Sequence, residues 1–389
     1  MTARIVGAAV TLFFIATVTA PVAVLNKLLF ALLLLVAVLR IVSAPADTRL
    51  PTWSPFVVIA VFMYGLIIAL GGNADLPLAR QLVFSVSLLL LIYPILWYDV
   101  DLDRVVKITG VVLASLTFVL VATFLTAPVS PFSAQLLDLF MRYSLGSAGN
   151  RDFLGSPVLM VRLGSSHFLL LPFALLLADL RDRFRVWTVL ALLLVFAAIL
   201  ASTSRGVFLL SVAAAVLILG ERMSNIKRAA WGLVVAPLVL AAGAVLAMRT
   251  TVFSTAEEGN SIKLGHAASF LDNLSLPHVL FGEGLAAFYY SVGLGRQVPQ
   301  TEITLFDMLR YFGFVLTPIM FAALFFPAWR LHHYIGDRRR VMAVALFVLY
   351  VALSLTNPVL FNSMGLSVVV WYWWRVLRPD DATPAVTQA

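Results

Sequence analysis

The chain has 389 residues, of which 62% are hydrophobic and only 12% charged. Soluble domains run at roughly 45–50% apolar and about 25% charged, and they need a polar surface this chain cannot build. A soluble enzyme, a disordered chain and a disulfide-stapled secreted module are therefore excluded. The apolar runs are continuous rather than alternating, which points to a helical integral membrane protein. The net charge of +8 is then first a topology signal, not a sign of nucleic acid. Cysteine is absent, so disulfides and thiolate metal sites are excluded.

Twelve segments are long and apolar enough to read as transmembrane helices. In chain order the first six are Ile5–Ala20, Val22–Leu39, Ser54–Leu70, Leu82–Trp97, Val105–Ala127 and His167–Leu180. The other six are Val186–Ser202, Gly206–Gly220, Ala229–Met248, Tyr311–Trp329, Val341–Leu355 and Val359–Val376. Val18-Thr19-Ala20 looks like a signal-peptide cleavage site, but Pro21 and a second span follow at once, so a retained hairpin is predicted. With the N-terminus inside, 17 of the 27 Lys and Arg fall on the inner side and ten on the outer. The inner loops are short, where the positive-inside rule is strongest, so both termini are predicted to be cytoplasmic.

The reading is all-α: one transmembrane domain over residues 1–378, then a flexible cytoplasmic tail over 379–389. Two long outer connections, 128–166 and 249–301, are predicted to be ordered. The first holds an amphipathic helix over Phe132–Tyr143, suited to an interface or to packing as a cap. The second holds an amphipathic stretch over Ala267–Leu274 and then Pro277–Gly284.

With so few charges, those near the outer cavity carry the information. Asp99-Val-Asp101-Leu-Asp103 has the look of a nucleotide-sugar motif, but it opens span five from the inner side, where carboxylates suit a helix N-terminus. Arg205 sits in Ser202-Thr-Ser-Arg-Gly206, a tight outer turn between two spans. A guanidinium among hydroxyls there matches a phosphate at headgroup depth, or snorkels to lipid headgroups. Arg162 in Val161-Arg-Leu-Gly-Ser-Ser-His167 has the same ingredients just before span six, with interfacial anchoring as the alternative. Arg142 and Arg151 lie further out in the same loop.

Asp307 and Arg310, leading into span ten, are i,i+3 neighbours placed to pair. Glu302 has no opposite charge at i+3 or i+4, and is either a general base at the cavity rim or a carboxylate at a helix N-terminus. His278 and Glu283 lie close together before Gly284. No outer loop shows a metal-ligand spacing, and no P-loop occurs, so neither metal nor cofactor is expected. The picture is an Arg-bearing outer cavity under two loops, handling an anionic lipid-borne substrate. A transporter stays open, although its usual midplane charges are missing apart from Lys27.

In their order and sidedness these motifs resemble the O-antigen polymerase/ligase superfamily of bacterial envelope polysaccharide enzymes. Ser204-Arg205-Gly206 is similar to the family's SRG turn, and Arg162-Leu-Gly164 to its RxxG motif, one residue shorter here. Phe281-Gly-Glu-Gly284 is similar to its fGxG stretch. Glu302 followed by Gly313 resembles the segment where ligases carry a His, ten residues and a Gly. Glu302 in place of that histidine favours the polymerase (Wzy-type) branch, although tandem Arg-x10-Gly motifs are absent, Arg151 being followed at that distance by Arg162.

The resemblance implies a metal-independent glycosyltransferase of the bacterial inner membrane, with its active site facing the periplasm. Its substrates would be undecaprenyl-pyrophosphate-linked oligosaccharides, its neighbours membrane lipids, and a chain-length regulator protein a candidate partner. Arg205 and Glu302 would be catalytic, and Arg162, Arg310, Arg151, His278 and Glu283 would bind pyrophosphate or glycan. A ligase passing finished polymer to a second acceptor is the alternative enzyme, and a lipid-linked oligosaccharide transporter the alternative outside that class.

Overall fold

The computed structural model describes residues 3–20, 24–44, 50–143, 145–153, 156–221, 258–272, 276–329, 337–355 and 357–378. The chain is mostly helical. The first stretch gives α1 (Ala3–Thr19), α2 (Val24–Ser43), α3 (Ser54–Gly71), α4 (Leu76–Ser87), a 3₁₀ turn (Leu88–Leu91), α5 (Ile92–Trp97) and α6 (Leu102–Thr126). There follow α7 (Pro131–Arg142), strands β1 (Gly146–Phe153) and β2 (Ser156–Leu163), a 3₁₀ turn (Ser166–Leu169), α8 (Leu170–Asp182), α9 (Val186–Ala201) and α10 (Arg205–Gly220). The last stretch comprises α11 (Glu258–Asp272), α12 (Leu276–Phe281), strands β3 (Tyr289–Ser291) and β4 (Arg296–Val298), α13 (Thr304–Trp329), α14 (Arg338–Ser354) and α15 (Ser363–Leu377).

Eleven of the twelve predicted segments fall on helices, and the ninth, Ala229–Met248, lies outside the described residues. So do the tail 379–389 and the whole of 222–257, which includes the start of the second long outer connection. Among the described residues five helices are long and apolar enough to cross a membrane: Val24–Ser43, Ser54–Gly71, Leu76–Trp97, Leu102–Thr126 and Thr304–Trp329. Their outward faces remain apolar, as Leu28 and Leu35 on α2 and Ile67 and Leu70 on α3 illustrate.

Local chemistry sets the helix ends. Asp101 accepts from the backbone N–H of Arg104 and caps α6, as a carboxylate at that position should. Asp75, Ser130, Asp337 and Asn362 cap α4, α7, α14 and α15 in the same way. The α15 helix is apolar all round and accordingly central. Trp371, Tyr372, Trp373 and Trp374 are fully buried, packed among α1, α6, α13 and α14. The Tyr372 ring stacks on Phe347 at 4.2 Å.

Two features depart from the sequence reading. The segment after α7 is a β-hairpin rather than irregular loop, with Gly146 opposite Leu163 and Phe153 opposite Ser156. Buried Val161 and Leu163 seat it on the bundle, and backbone alternation turns Arg162 the other way. A smaller hairpin pairs Tyr289 with Val298. Second, α13 begins at Thr304, about two turns before the predicted Tyr311. It is broken at Gly313, whose φ of 70° is outside the helical region.

Candidate functional site

Opposite ends of the bundle differ in chemistry. At one end α6 starts, α8 and α10 finish, α14 starts and α15 finishes, and Asp103, Lys107, Arg181, Glu221, Arg338 and Arg375 line a shared cleft. At the other end lie the α9–α10 turn, the β1–β2 hairpin and a cap formed by the described residues of 258–303, namely 258–272 and 276–303. Most residues singled out from the sequence belong to this second end.

The α9–α10 turn is three residues long. Ser202 donates to the Ile199 carbonyl and accepts from the Ser204 N–H at 3.3 Å, and Thr203 takes a positive φ of 47°. Arg205 is thereby fixed as the first residue of α10, half-buried rather than free in solvent. Arg162 lies on β2, not on a helix start, and donates from Nε to the hydroxyl of Ser147 across the hairpin at 3.2 Å. Ser165, just beyond, donates to the Val18 carbonyl at the end of α1. The strand that carries Arg162 packs against α6 and α9. Arg151 sits on β1 opposite Val158, and its side chain lies outside what is described. Arg142 pairs with Asp138 on α7 at 2.6 Å, which removes it from the site.

A residue not singled out from the sequence enters here. His167 is 8% exposed, and neither ring nitrogen makes a well-aligned hydrogen bond, although Asn357 sits beside it. The charges of Arg162 and Lys263 both act on it. Lys263 is in turn 3.9 Å from Glu302. The fold therefore brings Arg162, His167, Lys263 and Glu302 into one neighbourhood from three separate stretches of chain. The only sequence signal for His167 was its place five residues after Arg162. Glu302 is 47% exposed, and Gln300 and Thr304 on either side of it line a cavity of about 160 Å³ with Gln81, Asp307 and Asn362.

His278, Glu283 and Arg310 meet around a different, much smaller cavity of about 20 Å³. That is room for one water. Arg310 is 6% exposed, and both terminal nitrogens are engaged: it donates to the carbonyls of Ala287 and Pro299, pairs with Asp307 at 3.3 Å, and lies between the rings of Tyr289 and Tyr311, while its Nε is left without a hydrogen bond. Asp307 also accepts the Thr301 N–H. With both terminal nitrogens bonded to cap residues and to Asp307, this guanidinium braces the cap. His278 stays at the rim, 3.3 Å from Glu283.

Backbone contacts lock this cap to α13. The Glu283 and Gly284 N–H groups donate to the carbonyls of Arg310 and Tyr311, which the break at Gly313 leaves without helical partners. Thr317 takes the Met308 carbonyl at 2.9 Å. The Leu285 N–H donates to the Gly65 carbonyl within α3, and the Asp75 N–H to that of Ala286, so the cap is also tied to α3 and to the α3–α4 turn.

Inside the cap His266 is fully buried, with Nδ1 accepting from the Tyr289 hydroxyl at 2.6 Å and 3.1 Å from that of Ser291. Burial, and then the nearby Arg310 charge, hold its pKa below the ordinary imidazole value. A histidine kept neutral in the fold stabilises it above the unfolded-state pKa, and that stability is lost as pH falls from about 6.5 toward the folded value. Hydrogen-exchange protection of α11 and of the β3–β4 hairpin is therefore expected to drop between about pH 7 and 5. In His266→Gln the drop should flatten; an equal drop in the variant would assign the acid sensitivity elsewhere.

No protein-family model matches the chain, and no curated protein matches it.

Proposed function

We propose that this chain is a polysaccharide polymerase of the O-antigen type, joining undecaprenyl-pyrophosphate-linked repeat units at the periplasmic face of the bacterial inner membrane. On this reading the bundle crosses the membrane twelve times, and the end carrying Arg162 and Arg205 faces outward. One support for that orientation is that the five helix ends around the opposite cleft are those to which the count of basic residues gives the cytoplasmic side. The observation that carries the functional reading is the approach of Lys263 and Glu302 of the cap to Arg162 and His167. A second support is the resemblance: Phe281-Gly-Glu-Gly284 and Gly313, far apart in sequence, interlock directly.

Arg205 and Arg162 bind the donor's pyrophosphate and neutralise the charge it gains on departure. The acceptor sugar hydroxyl attacks the anomeric carbon of the donor glycan. The bond from that carbon to the pyrophosphate oxygen breaks, and the hydroxyl proton passes to the Glu302 carboxylate. Undecaprenyl pyrophosphate is released, and because it is a good leaving group the transfer needs no nucleotide. Lys263 orients Glu302. Gln81, Gln300 and Asn362 offer amide partners to the acceptor's other hydroxyls in the cavity beside it. Arg310 acts as a positioning residue that sets the height of the cap.

Glu302→Gln keeps the shape but removes the base. Transfer is expected to fall by about 10²–10⁴-fold, with binding of the lipid-linked donor unchanged. Turnover by purified Glu302→Gln equal to that of the parent would remove Glu302 from the site.

A further inference from the structure

The cleft at the opposite end of the bundle has a volume of about 500 Å³. It stands apart from the reaction proposed above: α10 alone separates Arg205 from Glu221 by about 24 Å of helix. Its lining has two layers. The charged residues occupy the outermost turns: Asp179 and Arg181 at the end of α8, Arg338 and Arg339 at the start of α14, Arg375 near the end of α15. Leu175, Met342, Leu346 and Trp371 line it one or two turns, about 5–10 Å, deeper.

The carboxylates of the rim are already matched. Asp103 pairs with Arg375 at 2.7 Å and accepts from the Trp371 indole. Asp179 pairs with Lys107 at 2.5 Å, and Arg181 bridges Asp182 and Glu221. Arg338 and Arg339 are left over. Both are exposed, and neither side chain has an acidic partner among the described residues. They also sit on the first turn of a 17-residue helix, where the backbone dipole adds positive potential. Their neighbour Arg340 does not share this state: it is buried, paired with Asp337 and bonded to the Arg378 carbonyl.

We infer that this cleft is a binding site for a phosphate group, with Arg338 and Arg339 as its ligands at the rim, and that the apolar inner layer takes the upper chain of the anionic lipid whose phosphodiester headgroup they hold. Two unpaired guanidiniums over an apolar recess between helix ends fit a phosphate whose other side is hydrocarbon.

The test is native mass spectrometry of the full chain, with phosphatidylglycerol, phosphatidylcholine or inorganic phosphate added in turn. Retention of phosphatidylglycerol over phosphatidylcholine is expected, and the R338Q/R339Q double variant should bind it roughly thirtyfold more weakly. Both side chains are exposed, so the variant should fold; its melting temperature checks this. Inorganic phosphate that binds the parent, and displaces no lipid, would assign the arginines to a soluble phosphate instead and overturn the lipid source. Equal phosphatidylglycerol binding by parent and double variant, or none by the parent, overturns the site. Arg375→Gln, which breaks the Asp103 pair without removing either proposed ligand, should retain binding, and loss there equal to the double variant would reduce the effect to rim charge alone.

Discussion

Arg205→Lys is expected to abolish most polymer formation although the charge is kept. Lysine offers a point charge, whereas the guanidinium offers a planar fork that meets two phosphate oxygens at once. Arg205 cannot be replaced by a nearby group, because a three-residue turn with a strained Thr203 fixes it at the first position of α10. Loss of one such stabilising contact costs about 10²–10³-fold in turnover, and Arg205→Ala should cost more. The measurement is polymer length and amount in cells, with protein level followed in parallel. Normal polymer in cells carrying Arg205→Ala would sink the catalytic role.

Gly282→Ala and Gly313→Ala are expected to have the largest effect on folding. Both glycines have positive φ, 79° and 70°, which an alanine adopts only with strain. A Cβ on Gly282 would overlap the Tyr311 carbonyl, and one on Gly313 would overlap that of Leu280. The Tyr311 carbonyl cannot retreat without giving up its hydrogen bond from Gly284, and both overlaps are with backbone rather than with a flexible side chain. Strain and overlap together should cost about 2–5 kcal/mol. Gly295→Ala is the control: its φ is 62°, but the space around it is open, so only the strain of about 1 kcal/mol remains. Thermal unfolding in detergent compares the three, and equal melting temperatures would refute the interlock.

Most helices were legible because a long apolar run has few other solutions, and because caps such as Asp101 announce themselves locally. The Asp307–Arg310 pair was legible for the same reason, three residues apart on one helix face. The β1–β2 hairpin was not. Pro157–Leu163 has strand-like content, but its partner Gly146-Ser-Ala-Gly-Asn-Arg-Asp-Phe153 has little β propensity, and only pairing makes it a strand.

The site divided along similar lines. Arg205 and Glu302 could be singled out from composition and sidedness. The Lys263–Glu302 approach could not, since 39 residues separate them and no local pattern encodes the contact. The bracing contacts of Arg310 were not legible for a related reason. Its carbonyl partners, Ala287 and Pro299, come from the cap, so its burial depends on a loop whose path is set by tertiary contacts. The glycines of Phe281–Gly284 and Gly313 were noticed as motifs, but the reason for them, two backbones at van der Waals distance, exists only in the folded chain.

The most direct test of the central claim is to mix the purified protein, reconstituted in liposomes, with a defined undecaprenyl-pyrophosphate oligosaccharide and to resolve the products by length. The account predicts a ladder of products rising by one repeat unit, with release of undecaprenyl pyrophosphate. Transfer only after a second lipid acceptor is added would make the chain a ligase. Movement of the oligosaccharide across the bilayer with no change in its length would contradict the enzyme assignment altogether.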